Sequence, residues 1–252
     1  MAYLKIENLA SDASIKVVTL NRPDVKNAFH PAMIQEITET FQKINQDSKI
    51  KAVILNGEGT AFCSGADLNW MKEMVQYSFE ENVADSEKLW AMFEAVAFCS
   101  APVIGVVHGA VFGGALGLVA ACDYVFSEVQ TKFCFSEVKL GLAPAVISSF
   151  VLRKISDAHA RALMISADVF TTEKAQAIGL THSSFNGAAD LIALSKSISA
   201  NGIEAMKETK KLLNDIKKAD WPTQKKLTTK VISERRMSSE GQERLKKFVE
   251  KK

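Results

Sequence analysis

Apolar residues along the chain follow two patterns, which alternate from the N-terminus to about residue 186. Short runs rich in β-branched residues predict strands. These runs lie at 15–20, 51–55, 103–107 and 124–126. Longer stretches at 31–44 and 86–98 carry apolar residues every three or four positions, which predicts helices with one buried face. Strands that alternate with helices in this way are typical of an α/β fold with parallel strand pairing.

One apolar run is longer than the others and could span a membrane by length alone. Residues 101–122 contain His108 as their only clearly polar side chain, and about 20 apolar residues suffice to cross a bilayer. However, five of these residues are glycine, and no Lys or Arg lies close to either end to set a topology. We therefore predict a buried strand, a glycine turn and a buried helix that begins near Gly113, with no membrane contact.

The pattern changes in the last quarter of the chain, where strand-like runs give way to helical stretches rich in Lys, Glu and Leu. We predict a core at 1–190 and a C-terminal helical region at 191–252. Residues 204–252 hold 15 Lys and Arg against 8 Asp and Glu, although the whole chain has a net charge of only +2. This basic segment has no interleaved aromatic residues and no RNA-binding motif, so no nucleic-acid partner is expected.

Composition removes several classes of protein and suggests a compartment. With 252 residues, 47% of them apolar and 24% charged, the chain is neither disordered nor a disulfide scaffold. Its four cysteines form no CxxC pair, so no zinc or thioredoxin motif is present, and we predict buried free thiols. The N-terminus has neither a secretory nor a mitochondrial targeting pattern, so we expect the protein in the cytoplasm.

The glycine pair at 113–114 gives the first indication of chemistry. A helix that starts there presents free backbone N–H groups in its first turn, and glycine lets a ligand approach the backbone closely. Such donors favour an anion or a developing oxyanion. The GxxxxGK[ST] and GxGxxG patterns of the usual phosphate loops are absent, and a glycine pair alone is a weak signal.

Six segments, in the expected order along nearly the whole chain, resemble those of the crotonase (enoyl-CoA hydratase/isomerase) family. They are LNRPDVKNAF at 20–29, AFCSGADL at 61–68, VHGAVFGGALGLVAACD at 107–123, KFCFSEVKLGLAP at 132–144, ADVFTTEKAQAIGL at 167–180 and EGQERLKKFVEKK at 240–252. The resemblance implies an α/β spiral of repeated ββα units followed by C-terminal helices that form homotrimers or hexamers. It also implies an acyl-CoA thioester substrate, with coenzyme A as part of the substrate and no other cofactor or metal.

The same resemblance assigns an oxyanion hole to two backbone N–H groups. By motif these belong to Ala66, just after Ser-Gly, and to Gly114, the second glycine of the pair. A thioester enolate carries negative charge on one oxygen, and preorganised donors stabilise that charge. The assignment therefore agrees with the chemistry expected of the Gly113–Gly114 turn.

The resemblance assigns acid–base chemistry to Glu137. Its apolar neighbours should raise the pKa of its carboxyl group towards the working pH, although a surface glutamate at a strand end is the simpler interpretation. Family members with two catalytic carboxylates have their first one six residues before the aspartate that matches Asp123, and here that residue is Gly117.

The missing carboxylate leaves three mechanisms open. Glu137 alone could perform both proton steps on bound water, or it could move a proton between carbon atoms as single-glutamate Δ3–Δ2 isomerases do. An unrecognised residue could also replace the missing group. The wording of segments 64–72, 113–123 and 136–148 is similar to bacterial methylglutaconyl-CoA hydratase-like members of leucine degradation, which favours a hydratase. An acyl-CoA hydrolase and a non-catalytic acyl-CoA-binding protein remain alternatives.

Further residues are candidates for substrate binding by their place in these motifs. They are Lys26, Ala28, Ser64, Asp67, Leu68, Trp70, Gly113 and Gly117. Three of them have a structural alternative: Asp67 could cap the helix that follows it, Trp70 could pack in the core, and Lys26 could be a solvated surface residue.

Overall fold

The strands are short and regularly spaced. The structure is a computed structural model that describes residues 2–250, apart from the side chains of residues 188, 189, 191, 192 and 195. Within that range the strands are β1 (Leu4–Leu9), β2 (Asp12–Leu20), β3 (Ala52–Gly57), β4 (Val103–Val107), β5 (Ala110–Phe112), β6 (Tyr124–Glu128), β7 (Lys132–Cys134), β8 (Phe170–Thr171) and β9 (Ser183–Phe185). All four strands predicted from the sequence are present.

The helices follow the strands and dominate the C-terminal quarter. They are α1 (Pro31–Gln46), α2 (Leu68–Met74), α3 (Phe79–Ala97), α4 (Ala115–Ala121), α5 (Ala145–Val151), α6 (Asp157–Ser166), α7 (Thr172–Ala177), α8 (Ala188–Ser199), α9 (Ile203–Ile216), α10 (Trp221–Met237) and α11 (Ser239–Glu250). Short 3-10 helices cover Pro23–Val25 and Glu137–Leu140. The α/β class is confirmed.

Two sheets form the core. The larger has the strand order β1-β2-β3-β4-β6-β9, in which β1 and β2 are antiparallel and all other neighbours are parallel. All five residues of β4 are buried, as expected for a central strand with both faces covered. The smaller sheet has the order β5-β7-β8, with β5 and β7 parallel. Isolated bridges join Cys63 to Val111 and Phe29 to Ala66.

The chain repeats one path: a strand of the large sheet, a short strand of the small sheet, then a helix. β4, β5 and α4 follow this order, and β3, the bridge at Cys63 and α2 follow it with a single bridge in place of the second strand. β6 and β7 repeat it and lead to the 3-10 helix Glu137–Leu140. This is the spiral of ββα units that the family resemblance implied.

The long apolar run at 101–122 lies inside the protein. It forms β4, β5 and α4, and all seven residues of α4 are buried. The expected helix starts two residues later than Gly113, because Gly113 has a positive φ of 53° and Gly114 is the N-cap. The sequence also gave no sign of β5. No helix within residues 2–250 is both long and apolar enough to cross a membrane.

One helix is longer than predicted. The apolar periodicity suggested a start near residue 86, but α3 begins at Phe79. A capping box fixes this start: the Ser78 side chain accepts a hydrogen bond from the Glu81 N–H, and the Glu81 side chain accepts one from the Ser78 N–H. The first turns of α3 are largely exposed, and their two large apolar residues, Phe79 and Val83, lie at the surface, so these turns do not extend the buried face.

The C-terminal region is helical as predicted, and β9 is the last strand before it. The predicted boundary at residue 190 falls inside α8. The division into parts at 1–190 and 191–252 stays a prediction, and residues 1, 251 and 252 lie outside the described range. The four cysteines are buried and free, as expected. The cytoplasmic location stays a prediction.

Candidate active site

Ala66 lies at an irregular junction between two chain segments. Phe29 donates its N–H to the Gly65 carbonyl at 2.7 Å, and Asp67 donates its N–H to the Phe29 carbonyl at 2.9 Å. These two hydrogen bonds use the residues before and after Ala66 and leave the Ala66 N–H without a partner. The N–H of Gly114, at the start of α4, is also without a partner. Neither N–H has a hydrogen-bond partner within residues 2–250, so both can bind a ligand.

The two unused N–H groups belong to segments that pack against each other. Phe112 donates its N–H to the Cys63 carbonyl at 3.2 Å, which joins the chain before Ala66 to the chain before Gly114. The Phe29 ring lies 3.4 Å from where a Cβ atom on Gly114 would be, and Phe29 also forms the bridge to Ala66. Both donors therefore adjoin the same residue, Phe29.

Glycine is required at two places in this junction. Gly65 has φ of 103° and Gly113 has φ of 53°, a left-handed region that other residues rarely adopt. A Cβ atom on Gly65 would also lie 3.2 Å from the Phe112 carbonyl oxygen. Both glycines precede a donor directly, so they set the direction in which each N–H points.

Glu137 lies beside the glycine pair. Gly113 donates its N–H to the Cys134 carbonyl at 2.9 Å, which fixes the glycine turn to the end of β7. Glu137 lies three residues after Cys134, at the start of the 3-10 helix Glu137–Leu140. The Oε1 atom of Glu137 lies 3.6 Å from where a Cβ atom on Gly113 would be. The structure thus brings together the three residues to which the sequence assigned catalysis: Ala66, Gly114 and Glu137.

The environment of Glu137 favours its neutral form. The residue is half-buried, and its Oε2 atom is buried without a hydrogen-bond partner in residues 2–250. Burial raises the pKa of the Glu137 carboxyl group above its ordinary value. A carboxyl group with a raised pKa can both accept and return a proton near neutral pH.

Gly117, where a second carboxylate was expected, lies in the interior of the protein. Two buried side chains press against it: a Cβ atom there would be 2.6 Å from Ile147 Cγ2 and 2.7 Å from Phe93 Cζ. The missing carboxylate has therefore not left an empty space that water or another acid could fill. Phe93 comes from α3 and Ile147 from α5, and the sequence did not single out either residue.

Both carboxylate oxygen atoms of Asp67 accept hydrogen bonds from other residues of the protein. Oδ1 accepts the Asn69 N–H at 2.8 Å and caps α2, and Oδ2 accepts a hydrogen bond from Arg22 at 2.7 Å. Burial acts to raise the pKa of Asp67, but the Arg22 hydrogen bond and charge outweigh it and lower the pKa. The helix-capping alternative describes this side chain, and a direct contact with coenzyme A stays a prediction.

Sequence reasoning missed Arg22, which organises the loop on either side of the candidate donor Ala66. Its Nη1 atom donates to the Ala28 carbonyl at 2.6 Å, while Nη2 binds Asp67. Asn27 is buried and donates to the carbonyls of Glu58 and Ala61. Both residues lie in the LNRPDVKNAF segment at 20–29. Their polar side chains within a family motif could have marked them as structurally important.

The remaining binding candidates fall into two groups. Lys26, Ala28 and Ser64 lie together, because Ser64 donates its N–H to the Lys26 carbonyl at 3.0 Å and Ala28 directly precedes Phe29. Leu68 is 74% exposed at the start of α2, whereas Trp70 is buried in the main core. Core packing therefore accounts for Trp70, and its place in an acyl pocket stays a prediction.

Two free backbone donors beside one buried carboxyl group are what an enzyme needs to stabilise an oxyanion and move a proton. The chain belongs to the enoyl-CoA hydratase/isomerase family, the crotonase family, whose sequence model matches residues 10–252. It is accordingly an enzyme of the crotonase family.

Comparison with individual proteins supports this assignment. The structure of an enoyl-CoA hydratase from Shewanella pealeana superposes with a TM-score of 0.92 at 32% identity, covering 100% of this chain and 94% of that one. A protein of Mycobacterium tuberculosis named as a probable enoyl-CoA hydratase is 30% identical over 86% of each chain. A mouse mitochondrial Δ(3,5)-Δ(2,4)-dienoyl-CoA isomerase is 35% identical over 57% of this chain, which spans 46% of that relative.

Proposed function

We propose that the protein is a hydratase-type lyase that adds water to a 2-enoyl-CoA thioester, with Glu137 as its single acid–base group. The observation that carries the proposal is the half-buried carboxyl group of Glu137, which lies beside the Gly113–Gly114 turn. The names of the hydratases similar to this chain agree with it. The reaction needs no redox step, and backbone donors can polarise the thioester without a Lewis acid, so we also propose that no cofactor or metal takes part.

The oxyanion hole activates the substrate. The thioester oxygen accepts hydrogen bonds from the N–H groups of Ala66 and Gly114, which withdraws electrons from C3 of the acyl chain. Addition at C3 moves the C2–C3 π electrons into an enolate whose negative charge rests on the same oxygen. Two fixed donors stabilise that charge better than they stabilise the neutral carbonyl, so they lower the barrier.

Glu137 handles both proton transfers. Its carboxylate accepts a proton from water while the water oxygen bonds to C3 of the acyl chain. The protonated carboxyl group then returns that proton to C2, the carbonyl re-forms, and Glu137 is again ionised. The raised pKa of Glu137 suits both steps, because neither the carboxylate nor the acid is strongly disfavoured.

A single carboxyl group constrains the stereochemistry of the product. Glu137 touches the substrate from one side, so the hydroxyl group and the proton should add to the same face of the double bond. Hydration in D2O, followed by NMR of the 3-hydroxyacyl product, measures this directly. Addition to opposite faces would require a second acid and would contradict the single-carboxyl mechanism.

The substrate we favour is a short or branched acyl thioester similar to methylglutaconyl-CoA. Its support is the wording of the motifs around Ser64, Gly113 and Glu137. The deciding experiment compares enoyl-CoA esters of different length and branching by the ultraviolet absorbance of the conjugated thioester. Loss of absorbance with formation of a 3-hydroxyacyl product supports hydration, and the best ester identifies the acyl class.

A Δ3–Δ2 enoyl-CoA isomerase is the second candidate. Two observations favour it: the filled space around Gly117, which leaves one carboxyl group, and the dienoyl-CoA isomerase among the similar proteins. Glu137 would then remove a proton from C2 of a 3-enoyl ester and return it to C4. A gain of absorbance from a 3-enoyl ester, without hydration of the 2-enoyl ester, would select this function. Release of free coenzyme A would instead indicate a hydrolase, and binding without turnover a non-catalytic protein.

A further inference from the structure

A polar cavity lies at the C-terminal end of α4, opposite the Gly113–Gly114 turn. Its volume is about 180 Å³, and it separates the ends of α4 and α5 from helix α9. The polar side chains around it are those of Asp123, Arg153, Lys154, Lys210, Asn214 and Lys217. The family motif at 107–123 supplies Asp123 and part of the apolar wall, but the proposed reaction does not use this cavity.

The charges around the cavity are unbalanced. Four lining side chains are cationic, and Asp123 is the one carboxylate among the lining residues that the structure describes. Lys210 forms a salt bridge with Asp123: the Lys210 Nζ atom lies 2.7 Å from the Asp123 Oδ2 atom, and the Lys210 side chain is only 7% exposed. That pair leaves three cationic side chains around the cavity without a carboxylate.

The other three cations bind only neutral groups or none. Lys154 donates from Nζ to the backbone carbonyl of Asp123 at 3.1 Å, and Arg153 donates from Nη2 to Asn214 Oδ1 at 2.7 Å. Lys217 has no carboxylate within salt-bridge distance in residues 2–250. Burial lowers the pKa of Lys154, and the charges of Arg153 and Lys217 lower it further, whereas the Cys122 thiol and Asp123 act to raise it.

We propose that this cavity binds a small oxyanion of the phosphate class. Grouping three uncompensated cations is unfavourable unless an anion joins them. Guanidinium and ammonium groups together match the oxygen atoms of phosphate in charge and direction. Because Lys217 caps the C-terminus of α9 and Arg153 follows α5, the bound anion would fasten the C-terminal helices to the rest of the protein.

The test is thermal unfolding of the full chain in inorganic phosphate, with sodium chloride at equal ionic strength as the reference. A ligand at about five times its Kd should raise the Tm of a chain of this size by about 2–4 °C. The rise should saturate with phosphate concentration, whereas a general salt effect would not. The absence of any rise beyond that in chloride would overturn the proposal.

Two variants connect the effect to the cavity. Lys217→Gln removes an exposed cation without disturbing a described contact, and Lys154→Gln removes the partly buried one. Both should lose most of the response to phosphate, while Lys225→Gln on the exposed face of α10 makes the same charge change and should keep it. Equal responses in Lys217→Gln and Lys225→Gln would contradict the site, even if Lys154→Gln failed to fold.

The phosphate group could be a free ion or part of coenzyme A, and binding measurements distinguish the two. If the cavity holds the 3′-phosphate, Lys217→Gln should weaken binding of coenzyme A but not of dephospho-coenzyme A. If it holds a free ion, both should bind as they do to the parent. Because neither readout depends on turnover, this inference can fail or succeed independently of the proposed reaction.

Discussion

Glu137 has one buried oxygen without a hydrogen-bond partner and another beside the Gly113 turn. A structural carboxyl group is normally paired, as Asp67 is with Arg22, because an unpaired buried charge is costly. The contrast between these two acids separates their roles. Asp67 has a lowered pKa and stabilises a loop, whereas Glu137 has a raised pKa and is available to a substrate.

Replacing Glu137 by its amide tests the catalytic assignment. Glu137→Gln preserves the shape of the side chain but removes its ability to accept a proton, so turnover should fall at least ~10²-fold. Steady-state rates on the best enoyl-CoA ester measure this. Glu173→Gln, an exposed change on α7, is the matched control and should keep its rate. A rate for Glu137→Gln within about threefold of the parent would contradict the role of Glu137 as the acid–base group.

The same variant has an expected effect on stability. The folded-state pKa of Glu137 is raised above its unfolded value, so this group favours folding at low pH and loses that contribution as pH rises through the folded pKa. At neutral pH the ionised group is a cost, and Glu137→Gln should raise Tm. Below about pH 4 the parent carboxyl group is neutral and the two proteins should converge.

Calorimetry of parent and variant from about pH 3 to about pH 8 measures this difference. A Tm advantage that is the same at every pH would show that the charge of Glu137 is not its source. A variant that is more stable but inactive at neutral pH is the combination expected of a residue kept for function at the expense of stability.

At the scale of elements, α3 and α5 meet α4 at Gly117. Phe93 and Ile147 fill the space that a side chain on this residue would need, and Phe93 also packs edge-on against Phe150 at 5.4 Å. The absence of the expected carboxylate is therefore accompanied by close packing of α3, α4 and α5 around Gly117. Restoring a glutamate at 117 alone would not rebuild a second catalytic acid, because no room is available for it.

Gly117→Ala tests this packing. Alanine is favoured over glycine in a helix by about 1 kcal/mol, but overpacking a rigid core typically costs about 1–3 kcal/mol. We expect a net loss, with Tm lowered by about 2–4 °C for each kcal/mol. Gly187→Ala is the control, since a Cβ atom there meets nothing within 4 Å. Adding Ile147→Ala should recover part of the loss in a double-mutant cycle, and strict additivity would contradict the contact.

The sequence predicted the elements of the core better than their contacts. The strands β2, β3, β4 and β6 carry β-branched runs, and α1 carries a clear apolar face, so all were predictable. β5, β7 and β8 were not, because two or three residues show no periodicity. The motifs singled out Glu137, Ala66 and Gly114 as candidates. The contact of Phe93 with Gly117 joins residues far apart in sequence, which no local pattern reveals.

At the scale of the whole molecule, charge and exposed apolar surface are unevenly distributed. Residues 204–252 carry a surplus of seven positive charges, and the rest of the chain carries a surplus of five negative charges. Helices α10 and α11 have no buried residue, although they carry large apolar side chains. Trp221 and Met237 are each 83% exposed. Such side chains on a basic helical surface favour association with an acidic partner surface.

A second copy of the chain is one such partner. Its residues before 204 carry a net negative charge, which complements the basic C-terminal region of the first copy. The charges favour self-association, and the family resemblance implies its form: a homotrimer, or a hexamer built from two trimers, with a mass three or six times 27.6 kDa. Light scattering coupled to size exclusion measures this mass. Trp221→Gln should shift the equilibrium towards smaller species if α10 lies at the interface, while Thr229→Gln on the same helix should shift it less, because threonine contributes little apolar area. A parent protein that stays monomeric at micromolar concentration would leave the exposed faces of α10 and α11 without a partner copy and would contradict this assembly.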